Sequence, residues 1–289
     1  MIKTILVATA AEQADLATMT AASRVAREFA GHLEVLHVRL DPVDVAVAMS
    51  TEASGGMLLE SVIEQLERVA SEREAAGKRL FDEFCAREKL AVVDAPGDQW
   101  RDKATAQWHV ETGDWVRWMT RCGMAADIIV AGRGADHDVT ARSVLEAALL
   151  ETGRPLLIPT ASETAPAAVD GTVAIAWKAT PQAARAVAAA MPFIARAKEV
   201  VVMTVEEAEG SGDVERLVRN LAWHGCRVRA ESLASDGGDA AEILLAAAQE
   251  RAGLLVMGGY GHSRVREWVF GGFTRRVLAD APLSVLMAH

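Results

Sequence analysis

The chain has 289 residues, of which 51% are hydrophobic and 24% charged, with a formal net charge of −10. That acidic balance excludes the basic excess on which a nucleic-acid surface depends, and the length suits two domains of about 145 residues better than one core. No apolar run reaches the roughly 18 residues of a membrane-spanning helix, so no membrane partner is expected.

Taken in chain order, residues 4–9 read as a buried strand, too short an apolar run for a signal segment and without an Ala-x-Ala cleavage site. Residues 14–30 read as a helix and 33–40 as a second strand. Leu59, Val62, Ile63, Leu66, Val69, Leu80, Phe81 and Phe84 recur at helical spacing, a long segment that Gly77 is expected to break in two. Strand 104–110, helix 113–122, strand 127–131, a further helix and strand 155–158 complete this half. The small, polar, proline-bearing stretch 159–171 reads as a linker. The same order then returns. Strand 172–177, helix 181–197 with Pro181 at its first position, strand 200–205, helix 214–224 and strand 226–233 are followed by helix 239–251, strand 254–257, a helix from Phe273 and strand 282–287.

Alternating strands and helices predict α/β architecture, a doubly wound parallel sheet in each of two tandem halves. The expected boundaries are 1–160 and 171–289, with the linker at 161–170. Ligands of such sheets sit beyond the carboxyl ends of the strands. In the second half that position holds Met257, Gly258, Gly261, His262, Gly271, Gly272, Phe273 and Thr274, a glycine-punctuated loop running into a helix. Backbone N–H groups of such a loop and the helix start suit an anion. The plainer reading is that Gly258, Gly261 and Gly271 serve only a tight turn and close helix–strand packing. A dinucleotide fingerprint would follow the first strand of its unit instead, and residues 8–11 and 176–179 contain no glycine, which removes a dehydrogenase.

With these residues in view, the sequence resembles a tandem universal stress protein over essentially its whole length. ATP-binding members of that family carry Gly, two residues, Gly, nine residues, then Gly followed by Ser or Thr, and Gly258, Gly261 and Gly271 match that spacing. The resemblance implies a Rossmann-like sheet ordered 3-2-1-4-5 in each half and a cytoplasmic role in the stress response. It implies non-enzymatic binding of ATP, with Mg as the accompanying ion, in the second half only. The triphosphate would lie over Gly258, Gly261, Gly271, Gly272 and Phe273 with Thr274 nearby, and the base and ribose against Ala176, Trp177, Lys178 and Val205. Two departures stand out: ATP-binding members have aspartate where Lys178 stands, and Ser or Thr where Gly272 stands. The first half keeps Gly132 and Gly134 but has Val144, Leu145 and Glu146 where Gly271 would align, so its site is expected to be degenerate. The family's dimeric packing implies that 155–159 and 282–287 pair within the chain as a pseudo-dimer; a homodimer of chains stays open.

Two other functions remain in play: an interaction or scaffold protein that binds no nucleotide, and a weak ATP hydrolase or adenylate transferase. No acid–base pair or nucleophile with a base is legible, so no catalytic residue is assigned. Ser263 lacks the second glycine of a nucleophile elbow, and Ser143 and Ser284 sit in none. His109, His137 and His224 have no partner at metal-ligand spacing, and Cys85, Cys122 and Cys226 lack CxxC spacing, so no metal site is expected and the thiols read as reduced. His262, Arg264, Arg266, Arg275 and Arg276 would bring positive charge to phosphates or simply form a solvated face. Trp100, Trp108, Trp115 and Trp118 read as packing residues.

Overall fold

The computed structural model describes all residues except 11, 13–14, 50–55, 135–137, 161–170, 206–211, 236–238, 260–271 and 280. In the first half, β1 (Thr4–Ala8), α1 (Asp15–Phe29) and β2 (His32–Arg39) lead to α2 (Pro42–Met49) and α3 (Gly56–Glu88). The short β3 (Ala91–Val92) and a 3-10 turn at Asp98–Trp100 precede β4 (Thr105–Thr112). Then come α4 (Trp115–Gly123), β5 (Ile128–Val130), α5 (Val139–Leu150) and β6 (Leu156–Ile158). The second half runs β7 (Thr172–Ala176), α6 (Pro181–Ile194), β8 (Glu199–Val205), α7 (Gly212–Trp223) and β9 (Val228–Leu233). It ends with α8 (Ala240–Arg251), β10 (Leu254–Gly258), α9 (Gly272–Ala279) and β11 (Ser284–Ala288).

Sequence reasoning misses α2, β3 and the 3-10 turn, and it errs at Gly77, where α3 continues unbroken. A helical glycine costs only about 1 kcal/mol against alanine. Phe81 and Phe84, both fully buried one and two turns later, hold that stretch of the helix on the sheet. Packing of an apolar face outweighs local propensity here.

All the strands join one sheet, ordered β3-β4-β2-β1-β5-β6-β11-β10-β7-β8-β9. Each half is therefore wound 3-2-1-4-5, the order that the family resemblance implies, with β3 added at one outer edge. Pairing is parallel throughout except at the seam, where β6 meets β11 antiparallel with Leu157 opposite Leu286. The far edge, β9, carries Arg229 and Glu231, which pair at 2.7 Å, a charged rim that discourages strand addition.

Helices cover both faces. One core joins α1, α3, α6 and α7 to the sheet through Phe29, Phe81, Phe84, Phe193 and Leu221. The other lies beneath α4, α5, α8 and α9 and includes Met119, Leu149, Leu245 and Val277. Strands buried on both faces explain the continuous apolar runs at β5, β6, β10 and β11.

The entry to β1 is locked to β5 by Asp127. Its Oδ2 accepts from Lys3 N at 2.7 Å and Thr4 N at 3.0 Å, and its own N–H donates to Thr4 Oγ1 at 3.0 Å. Partial burial disfavours the carboxylate, but these donors outweigh it and hold the Asp127 pKa below its ordinary value. The resulting stabilisation is present above the unfolded-state carboxylate pKa and is lost as pH falls through the folded one. Asp127→Asn is expected to cost about 1 kcal/mol at neutral pH, limited by solvent exposure. Urea titrations should show that gap between variant and parent closing as pH falls below the ordinary carboxylate range.

Candidate functional site

β10, between β7 and β11, delivers the candidate loop to the carboxyl end of the sheet. A Cβ on Gly258 would stand 2.6 Å from Ala183 N and 2.8 Å from Gln182 C, both backbone atoms in the first turn of α6. That turn is itself fixed, because Pro181 occupies its start and Thr180 Oγ1 accepts from Ala183 N at 3.2 Å. Gly258 thus permits a close helix–strand contact, the role the plainer reading assigned to it.

Beyond it, Gly259 N donates to Ala288 O at 2.8 Å, tying the loop's start to β11. The first half reaches the same place. The Leu149 side chain of α5 would lie 2.9 Å from a Cβ on Gly259. Arg133, which follows β5 as Gly259 follows β10, donates through Nη1 to Pro159 O at 2.9 Å and through Nη2 to Val277 O at 3.2 Å. First-half side chains therefore reach Gly259 at the loop's start and Val277 within α9.

The expected site residues divide by face. Ala176 and Met257, 8% and 2% exposed, contribute their side chains to the core under α8 and α9, with Val205 packed at its margin. Trp177 packs on the opposite core beside α6 and α7, and its backbone N–H donates to Met203 O at 2.9 Å. Its indole Nε1 is buried with no hydrogen-bond partner among the described residues. Lys178 is exposed, and its carbonyl accepts from Thr180 N at 2.6 Å. Gly272 opens α9 and Thr274 is buried. Gly261, His262 and Gly271 lie outside the described residues, as do the Phe273 side chain and the residues Arg264 and Arg266. Arg276 is engaged by Glu242 of α8 at 2.7 Å, part of a solvated face.

In the first half the corresponding ends carry carboxylates. Asp138 caps α5, accepting from Ala141 N at 2.9 Å, which places a negative charge at the helix start that would otherwise face an anion. After β1, Asp15 Oδ2 accepts from Thr9 Oγ1 at 2.6 Å and Glu12 N at 2.9 Å, and burial raises its pKa. Burial likewise raises the pKa of Glu146 on α5.

A second constellation corrects the expectation for His109. On β4, His109 and Glu111 alternate onto one face, and His109 Nε2 lies 3.0 Å from Glu111 Oε1. Its Nδ1 is hydrogen-bonded to Glu34 of β2, 75 residues away in sequence. The Cys122 sulfur at the end of α4 completes a group whose ligand-type atoms, with those of Glu34 and His109, lie within 4.8 Å of one another. Linear spacing does not register neighbours across parallel strands. The predicted strand stopped at residue 110; the observed one runs to Thr112, and the two-residue spacing of His109 and Glu111 then puts both side chains on one face.

Compared with known families, residues 153–289 match the model described as "Universal stress protein family". No curated protein matches the sequence significantly. Among solved structures, a universal stress protein from Archaeoglobus fulgidus DSM 4304 superposes with a TM-score of 0.69 at 16% identity, covering 99% of this chain and 97% of that one. A universal stress protein of Pseudomonas aeruginosa UCBPP-PA14, itself described as putative, superposes with a TM-score of 0.55 at 14% identity, covering 99% and 93%. At these identities the likeness is one of fold, and it spans both halves.

Proposed function

We propose, for a chain whose residues 153–289 belong to the universal stress protein family, that the second half binds ATP with Mg and signals the bound state without catalysis. One observation carries the reading: Gly258 ends β10 at the carboxyl edge of the sheet, and α9 starts at Gly272. The spacing of Gly258, Gly261 and Gly271, with α9 following, supports a triphosphate held by backbone donors and a helix N-terminus. The base would sit near the ends of β7 and β8, beside Ala176, Trp177 and Val205.

We divide the protein as 1–160, a linker at 161–170, and 171–289. The first half acts as a structural partner in a pseudo-dimer across the β6–β11 seam, a reading supported by the Asp138 carboxylate at the start of its α5. Reduced, widely spaced cysteines support a cytoplasmic setting. Calorimetry with Mg-ATP is expected to show one saturable site per chain, lost in Gly261→Val and Gly271→Val while circular dichroism stays unchanged. Absence of heat at millimolar ligand with folded protein overturns the reading.

A scaffold that binds no nucleotide is the second reading. Lys178, exposed where ATP-binding relatives hold an acceptor, and Gly258, whose missing Cβ serves α6, both favour it. Lys178→Asp separates the two, because it is expected to tighten ATP binding about tenfold or more if the adenosine lies there.

A further inference from the structure

We propose that Glu34, His109 and Cys122 form a site for a divalent cation of the zinc type, with Glu111 orienting the histidine. The three donors come from β2, β4 and α4, so none depends on a loop. Their types, one carboxylate oxygen, one imidazole nitrogen and one sulfur, suit Zn²⁺ better than the hard, oxygen-seeking Mg²⁺ or Ca²⁺.

The division of labour at His109 follows from its two ring nitrogens. Nδ1 faces Glu34, the other donor within 4.8 Å of the Cys122 sulfur. Nε2 faces Glu111 at 3.0 Å. A metal on Nδ1 leaves Nε2–H to donate to Glu111, the carboxylate–histidine–metal relay that fixes ring orientation and raises ligand basicity. Two carboxylates converging on one imidazole and one thiol also give the pocket a negative character that a cation relieves. Tetrahedral zinc places nitrogen and sulfur ligands about 3.5 Å apart. The ligand-type atoms lie within 4.8 Å of one another, so binding draws them closer together.

The scaffold is firm. Asp114 Oδ1 accepts from Arg117 N at 2.7 Å to cap α4, and Trp118 Nε1 donates to the Thr112 carbonyl at 2.8 Å, fastening the helix over the end of β4. Glu34, His109 and Cys122 are each partly exposed, so an ion reaches them without the core opening. Three protein donors leave a fourth position open to water or a small ligand.

The test uses the full chain, stripped with chelator and titrated with Zn²⁺ by calorimetry and with Co²⁺ by absorption. One equivalent is expected to bind, and Co²⁺ is expected to give a thiolate-to-metal charge-transfer band. Cys122→Ser, nearly isosteric, removes the band. His109→Gln abolishes saturable binding, and Glu111→Gln weakens it about 10- to 100-fold. A parent Co²⁺ spectrum without the thiolate band overturns the site. So does Zn²⁺ affinity unchanged in folded Cys122→Ser and His109→Gln proteins, which would leave the cluster a hydrogen-bonded network only.

Discussion

Gly258→Ala is expected to lower stability by about 3 kcal/mol, seen as a fall in Tm of roughly 6–12 °C for a protein of this size. The added Cβ meets Ala183 N at 2.6 Å and Gln182 C at 2.8 Å. Neither atom can swing aside as a side-chain end would, because both belong to the first turn of α6. That turn cannot retreat cheaply either. Pro181 and the Thr180 cap fix its start, while Ala183, Ala186 and Ala190 bury its inner face in the core. Strain is then shared between β10 and α6, and interiors at close-packed density accommodate it poorly. Gly97→Ala is the control: a Cβ there meets only Trp100 Cδ1 at 3.6 Å, and the backbone is extended, so Tm should hold. A Gly258→Ala protein as stable as this control would show that α6 yields, and Gly258 would then have no packing role. Because the clash lies on the α6 side, the first effect expected is on stability.

The order of elements was legible because it rests on hydrophobic periodicity and on one repeat read twice. The runs at 128–131 and 254–257 are apolar on every residue, and only strands covered on both faces allow that. Gly77 misled because local propensity is a small quantity and the burial of Phe81 and Phe84 a large one. α2 escaped notice because Pro42–Met49 is short and apolar nearly all round, so no face stands out. At the candidate loop, spacing identified the glycines but not the reason for the first of them, which is the approach of an α6 backbone 75 residues earlier. The Glu34–His109–Cys122 group was hidden for the same physical cause. Its members meet only after β2 and β4 pair in register, with Leu36 opposite His109.

The first half also bears on the second in ways that a repeat reading alone does not reveal. Arg133 follows β5 by three residues, in the position that Gly259 holds after β10 when Val130 is aligned with Val256. Its guanidinium reaches the Val277 carbonyl of α9, and Leu149 abuts Gly259. The first half, with Asp138 and Asp15 at the starts of its α5 and α1, thus touches the second half at Gly259 and within α9.

The seam between the halves is where the largest single truncation effect is expected. Leu286→Ala should cost about 2–5 kcal/mol, because Leu286 is fully buried and β11 cannot collapse onto the void without drawing β6 and β10 with it. Leu157 lies opposite it across the antiparallel pair, and both side chains enter the same core. The two truncations should therefore be non-additive, with a coupling of about 0.5–3 kcal/mol in a double-mutant cycle measured by urea unfolding. A shared cavity, once opened by the first substitution, makes the second cheaper. Additivity within about 0.5 kcal/mol would mean that the halves pack independently and that the β6–β11 pairing contributes little. Denaturant slopes provide the second readout. If the seam makes the two halves one cooperative unit, Leu286→Ala lowers the midpoint and leaves a single transition. If it merely abuts two stable domains, the variant unfolds in two steps, the second half first.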